Sequence, residues 1–395
     1  MLSFARMKLA FVAAAAGSFL LGAGAALALS AADIEGASYQ GGPLPSGQSA
    51  ITAKVQLLLD RSGISPGVID GIAGGMSNSA IAAFERRAGL PVDGVMDDVV
   101  WGLLQHFATS PVTQSYTITQ ADTENLVDAI PTDYAEKAEM AHLGYTSVQE
   151  RLAERFHMDE GFISVMNPSA SFTAGETISV MNPNARIRAT VTRIVIEKEH
   201  NRVAAFDESG RMVVNYPATI GSAQTPSPSG EMKVANVAEN PDYTYNPSVN
   251  FQQGDNDRVL RIPPGPNGPV GDTWIGLTKP TYGIHGTPTP SRLFRNESNG
   301  CVRLTNWDAR ELAHMVRPNQ TEVVFLEQGS SMPDTAAPAI AEAPAAAEEP
   351  SAPAAASPAQ EQAAAPAPAT VDPLTEALNR AADDPVAVAP GAPAN

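Results

Sequence analysis

From Arg186 onward the chain reads as short strands joined by tight turns. Arg193-Ile194-Val195-Ile196, Arg202 to Phe206 and Met212 to Tyr216 are apolar, largely β-branched runs, separated by Glu199-His200-Asn201 and Glu208-Ser209-Gly210. Turns this short join antiparallel neighbours, because a parallel pair needs a long crossover. A mainly antiparallel β domain is therefore expected over residues 186–328. Within it, Thr305-Asn306-Trp307-Asp308 has the form of a helix N-cap with an acidic residue at the third helical position, and a helix to about Val316 is expected to cover one edge of the sheet. The run from Asn240 to Gly271 is rich in Pro, Gly and Asn. A long irregular segment in a compact domain is expected to be a lid or a binding loop.

The rest of the 395 residues divides by composition, and the fold class expected is multidomain. Residues 1–30 carry Arg6 and Lys8, then an uncharged Ala/Leu/Gly/Phe run, then Ala26-Leu27-Ala28, the form of a secretory signal peptide. The alternative is an uncleaved membrane anchor. With cleavage, no stable membrane span is expected, and the mature chain is exported to the periplasm or cell envelope. Residues 31–48 read as a linker. Over 49–108, Val55, Leu58 and Leu59, then Ile81, Ala82 and Phe84, fall at helical spacing and imply two helices around a Gly-rich turn. Val68-Ile69-Asp70-Gly71-Ile72 is echoed by Pro91-Val92-Asp93-Gly94-Val95, each Asp-Gly turn leading toward a helix.

Residues 115–183 show an amphipathic stretch from Val148 to Phe156, a short helix from Asp159 to Met166, an Asn167-Pro168 stop, and a turn and strand from Phe172 to Val180. Residues 329–395 are dominated by Ala, Pro, Glu and Ser, with nine acidic residues against Arg380 alone. Such a tail buries too little apolar surface to offset its ordering entropy and is expected to be disordered, with a brief helix at 373–381.

Lys and Arg number 25 against 43 Asp and Glu, a formal net charge of −18, so nucleic acid is excluded as an expected partner. The six histidines form no His-x-x-x-His or His-x-His pair and no Gly-rich phosphate loop is present, so neither a metal nor another cofactor is expected. One cysteine, Cys301, cannot form an internal disulfide. A lone cysteine is more often inert core than nucleophile. Its surroundings favour chemistry: Ser298-Asn299-Gly300-Cys301-Val302-Arg303-Leu304 comes soon after His285-Gly286-Thr287 in sequence. A thiol needs a base or a positive field to react, and a glycine before it lets consecutive N–H groups turn toward an oxyanion.

These paired motifs resemble the L,D-transpeptidase (YkuD) family over roughly residues 187–327. The resemblance makes Cys301 the nucleophile and His285 the histidine that activates it, and Ser298, Gly300 and Arg303 match further positions of the cysteine signature. In this reading, N–H groups at Gly300 and Cys301 hold the oxyanion, Ser298 orients the loop or His285, and Arg303 supports the loop or binds a substrate carboxylate. Two departures stand out. Asn299 occupies a position where the family most often has His, a change read as tolerated, and Leu293-Phe294 stands where relatives often have Ile-Gly. The segments 225–230 and 272–277 also look like family segments.

Residues 49–108 resemble a three-helix peptidoglycan-binding domain. The order strand, helix, helix, Asn-Pro, Gly, strand over 115–183 looks like a LysM glycan-binding module, the bland alternative being a spacer packed on the catalytic domain. The resemblance as a whole implies an exported, cysteine-dependent L,D-transpeptidase acting on peptidoglycan, with stem peptides and glycan strands as partners and a cell-wall-linked protein among the candidate acceptors. An L,D-carboxypeptidase using water, or a non-catalytic wall-binding protein, are the alternatives.

Overall fold

The computed structural model describes residues 29–222, 225–295, 298 and 300–332. The leader over 1–28 and the tail from 333, with its expected helix at 373–381, lie outside the described residues. The chain divides into a unit over residues 1–341 and a second over 342–395, the latter wholly outside the described residues. Among the described residues, no helix is long and apolar enough to cross a membrane.

The described chain enters through α1 (Ala31–Gly36), where Ser30 and Asp33 form a capping box. Ile34 is fully buried, and Lys54 Nζ donates to the carbonyls of Glu35 and Ala37 at 2.7 and 2.8 Å. The stretch expected as a linker is thus partly helical and packed, because one buried isoleucine and a lysine clamp fix it. Residues 49–108 form three helices, as the resemblance to a three-helix domain implied and one more than periodicity alone gave: α2 (Ala50–Arg61), α3 (Gly75–Ala88) and α4 (Asp98–Leu104). The Asp-Gly echo is one device used twice. Gln56 Oε1 on α2 accepts the N–H groups of Asp70 and Gly71, while Asp70 Oδ1 accepts that of Ile72. Glu85 Oε2 on α3 accepts those of Asp93 and Gly94, and Asp93 Oδ1 that of Val95.

The next segment is a strand–helix–helix–strand unit. Strand β1 (Thr113–Thr117) pairs antiparallel with β2 (Thr177–Met181), Thr113 opposite Met181. A long excursion carrying the short helix α5 (Tyr134–Ala138) separates β1 from α6 (Val148–Arg155) and α7 (Glu160–Met166). Ser147 and Asp159 cap α6 and α7. Asn167 closes the unit: its amide exchanges hydrogen bonds with Ser179 N and O and also donates to the Ile163 carbonyl.

The remaining strands are β3 (Arg193–Glu197), β4 (Arg202–Phe206), β5 (Met212–Pro217), β6 (Thr219–Ile220), β7 (Gly230–Glu239), β8 (Tyr243–Tyr245), β9 (Leu260–Ile262), β10 (Thr273–Leu277), β11 (Gly283–His285), β12 (Val302–Arg303) and β13 (Glu322–Phe325). Apart from the β8–β9 hairpin, they form one sheet in the order β5-β4-β3-β13-β7-β10-β11-β12-β6. Its neighbours pair antiparallel except for β13–β3 and β11–β12. Strands β5 and β6 lie at opposite ends of this order yet are separated by Ala218 alone. Neighbouring Cα atoms stand about 3.8 Å apart, so the two edges must meet and the sheet curls into a near-closed barrel. Helix α8 (Asn306–Met315) packs on β10 and β11, across the middle of the sheet rather than along an edge as expected. Its first turn is as expected: Thr305 caps it and accepts from Asp308 N at 3.0 Å.

One apolar core, including Ile194, Tyr216, Ile284, Val302, Leu304 and Leu312, lies inside the curl and under α8. A second runs without a break from the helical domain through α6, α7 and β2 onto the outer face of the sheet at Val195, Ala204 and Met212. Polar ties reinforce it. The buried Arg202 guanidinium donates to the carbonyls of Ser65 and Asn215, both at 2.9 Å, and Ser65 Oγ donates to Asp308 Oδ2. His157 pairs with Asp60 at 3.0 Å and stacks on Trp307. At the far end, Met332 is buried and its N–H donates to Glu197, so ordered packing continues past the expected boundary at 329.

Candidate active site

The parallel pair β11–β12 builds the site. Ile284 stands opposite Val302 and His285 opposite Arg303. Because successive strand residues face opposite sides, the fully buried Ile284 and Val302 point into the core while His285, Arg303 and Cys301 share the other face. The apolar residues at alternate positions leave the chain no other way to bury them. The outer edge of β12 is held by β6, Val302 opposite Ile220.

The cysteine loop is tied at several points. Ser298 Oγ donates to the Cys301 carbonyl at 2.5 Å and accepts from Gly221 N at 2.7 Å; Thr225 Oγ1 donates to the Ser298 carbonyl and Ser227 Oγ to that of Gly300. Ser298 thus fixes the loop against the turn after β6 and makes its contacts there, not with His285. Gly300 has φ 99°, a conformation other residues rarely adopt, and an added Cβ would meet the Tyr282 ring at 3.0 Å. Phe294 takes φ 69°, the left-handed region, at a position where relatives often carry glycine. Asn299 lies outside the described residues.

His285 is buried, stacks on Trp274 with ring centroids 5.5 Å apart, and places Nδ1 2.7 Å from the Gly286 carbonyl. A carbonyl oxygen only accepts, so Nδ1 carries the proton and Nε2 keeps a lone pair. Burial, and then the Arg303 charge, pull the imidazole down to about 4, against the opposing pull of the Gly286 and Val270 backbone. Burial pushes the Cys301 thiol up, opposed by a backbone hydrogen bond from Gly283 and by Arg303. The thiol points at the Thr281 carbonyl, 3.6 Å away. At neutral pH the pair is therefore thiol and neutral imidazole, so any attack by this sulfur requires a proton to move.

That arrangement sets the pH profile. A depressed imidazole is protonated only below about 4, so the second-order rate of Cys301 acylation should fall on the acid side with a midpoint near that value. It should not decline between pH 7 and 9, since the thiol still holds its proton there. A midpoint near 6.5, the ordinary histidine value, or a fall by pH 9 would show a thiolate–imidazolium pair instead.

Behind the His285-Gly286 turn, Asn306 Nδ2 donates to both oxygens of Glu154, at 2.8 and 3.1 Å, and to the Pro266 carbonyl. Burial, then the Asp272 charge, push the Glu154 carboxyl up to about 8. The second module thus reaches the rear of the site with a carboxyl that is mostly protonated at neutral pH. Nothing in the sequence links Glu154 to Asn306, so reasoning from sequence missed their contact, as it missed Thr281 and Tyr282.

Residues 191–325 match YkuD, the L,D-transpeptidase catalytic domain. Residues 48–104 match a peptidoglycan binding domain. The chain is 36% identical over 124 residues to a protein named as the L,D-transpeptidase YkuD of Bacillus licheniformis, a match covering 31% of this chain and 59% of that relative. The chain thus spans less than two thirds of that protein's length. A protein of the same name from Bacillus subtilis is 29% identical over 176 residues, 44% of this chain and 90% of the relative. The crystal structure of the L,D-transpeptidase (residues 123–326) from Xylanimonas cellulosilytica aligns with 73% of this chain and 100% of its own, at 15% identity and a TM-score of 0.34.

Proposed function

We propose that this chain is an exported L,D-transpeptidase that cuts a peptide bond in peptidoglycan stem peptides and passes the acyl group to an amine through a cysteine acyl-enzyme. The observation that carries the reading is the placement of Cys301 and His285 on one face of adjacent parallel strands, with Nδ1 of the imidazole engaged and Nε2 left as the acceptor. The Cys301 proton passes to Nε2 as sulfur bonds to the carbonyl carbon of the donor, a diaminopimelate residue on the family resemblance. The carbon–nitrogen bond then breaks and the leaving amine takes the proton from Nε2. An acceptor amine attacks the thioester and gives a proton to Nε2, and the carbon–sulfur bond breaks as Nε2 passes that proton to the departing sulfur. Gly300 and Cys301 N–H groups serve the oxyanion in this scheme, and the Arg303 charge lowers the cost of negative charge on sulfur.

The wall-directed modules fit this reading. The match over residues 48–104 and the antiparallel β1–β2 pair around α6 and α7 support two peptidoglycan-facing units, the second LysM-like. The leader over 1–30 supports export to the periplasm or cell envelope. The acceptor is a second stem peptide, a wall-linked protein or water.

The test is mass analysis of the tryptic peptide that contains Cys301 after incubation with a carbapenem-type β-lactam and with a stem tetrapeptide. A covalent adduct on Cys301 from each is expected. An unmodified Cys301 under conditions where iodoacetamide alkylates it would refute the acyl-enzyme.

A further inference from the structure

The run from Asn240 to Gly271 carries one piece of regular structure, the β8–β9 hairpin, with Tyr243 opposite Ile262. A two-stranded ribbon of this length is marginal by itself. Its support comes from the second module, through the excursion between β1 and α6. The neck of that excursion is closed by Val127 N donating to the Tyr145 carbonyl at 2.9 Å.

The support is extensive. Leu143, Tyr245, Leu260 and Ile262 form a small core of their own, with Tyr134 and Tyr243 packed against it. The Tyr134 ring meets those of Tyr243, Tyr245 and Phe251 edge-on, with centroids 6.1, 5.2 and 5.8 Å away, and Lys137 lies 5.0 Å from the Tyr134 centroid. Backbone is matched as well: Tyr134 N donates to Gln253 Oε1, Leu143 N to the Pro264 carbonyl, and Asn267 N to the Leu143 carbonyl. Gly265 lies so close that an added Cβ would overlap the Leu143 carbonyl.

The supported segment walls a cavity of about 500 Å³, with Tyr243, Asn246 and Val249 on one side and Trp274 and Thr281 on the other. Trp274 stacks on His285, and the Thr281 carbonyl accepts from Cys301, so the cavity adjoins both reacting groups. The one carboxylate among its described lining residues, Asp242, is already paired with Arg261. Neutral amides and hydroxyls beside an indole suit the backbone amides of an extended peptide.

We infer that residues 124–147 are a fixed brace for the outer wall of the substrate cleft, with Tyr134 as the positioning residue through which the second module sets affinity for a peptide donor. The substrate part of this inference rests on the acyl-enzyme reading. The wall is ordered before substrate arrives, so binding does not have to supply its ordering entropy.

The test compares full-length wild type, Tyr134→Ala and Tyr134→Phe. Hydrogen exchange of residues 243–262 should quicken about tenfold or more in Tyr134→Ala, since the hairpin loses its support, and stay near wild type in Tyr134→Phe. Acylation of Cys301 by a stem tetrapeptide should weaken about tenfold in Tyr134→Ala, through KM rather than kcat, while alkylation by iodoacetamide changes little. Unchanged exchange in Tyr134→Ala overturns the brace whatever the substrate. Faster exchange with unchanged peptide acylation overturns the role in affinity. Wild type that is alkylated but never acylated refutes the acyl-enzyme reading, and exchange still decides the brace.

Discussion

Cys301→Ala is expected to abolish acylation and to leave the melting temperature almost unchanged. The thiol is partly exposed, and its side-chain contacts are the 3.6 Å approach to the Thr281 carbonyl and a backbone hydrogen bond from Gly283. Losing a single sulfur there removes little packing. The loop itself is held by Ser298, Thr225 and Ser227, whose hydrogen bonds end on backbone carbonyls and survive the substitution. Removing a nucleophile, by contrast, costs on the order of 10⁴-fold or more in rate. The measurement is turnover of muropeptides together with a thermal melt. Activity above a trace would rule out the thiol mechanism. His285 is a poorer probe, since it is buried against Trp274 and its loss would disturb the fold as well.

Phe162→Ala should destabilise the whole folded body, not the second module alone. Phe162 is fully buried on α7 and lies against the Asp70-Gly71 turn of the helical domain. It belongs to the core that continues onto the outer face of the sheet at Val195, Ala204 and Met212. Truncating a buried phenylalanine costs about 3–5 kcal/mol. In a body of this size that lowers Tm by on the order of 10 °C. Because the core is continuous, far-UV circular dichroism and tryptophan fluorescence should report one shifted transition. A Trp101→Phe background confines the fluorescence to Trp274 and Trp307, both within the residues that match YkuD. If the helical transition moved there while the fluorescence transition stayed in place, the modules would be energetically separate.

The facing of Cys301 and His285, the strand runs and the helix caps are legible in the sequence because each depends on neighbours along the chain. Alternation over Ile284-His285 and Cys301-Val302-Arg303 decides which side chains face the core, and Ser147, Asp159 and Thr305 cap helices through residues two or three positions on. The Asp-Gly echo is visible as a repeat, though not the glutamine and glutamate that hold its two turns. Sequence reasoning fails where distant contacts decide. Residues 31–48 read as a linker because their order depends on Ile34 finding a core and Lys54 finding two carbonyls. Helix α8 is misplaced at an edge because the order of the strands cannot be read from turns alone. The curl of the sheet, the single core shared by helical domain, second module and sheet, the depressed imidazole of His285 and the meeting of Tyr134 with Tyr243 were decided only by tertiary structure. Burial and long-range contact set each of these, and neither is a property of any local stretch of chain.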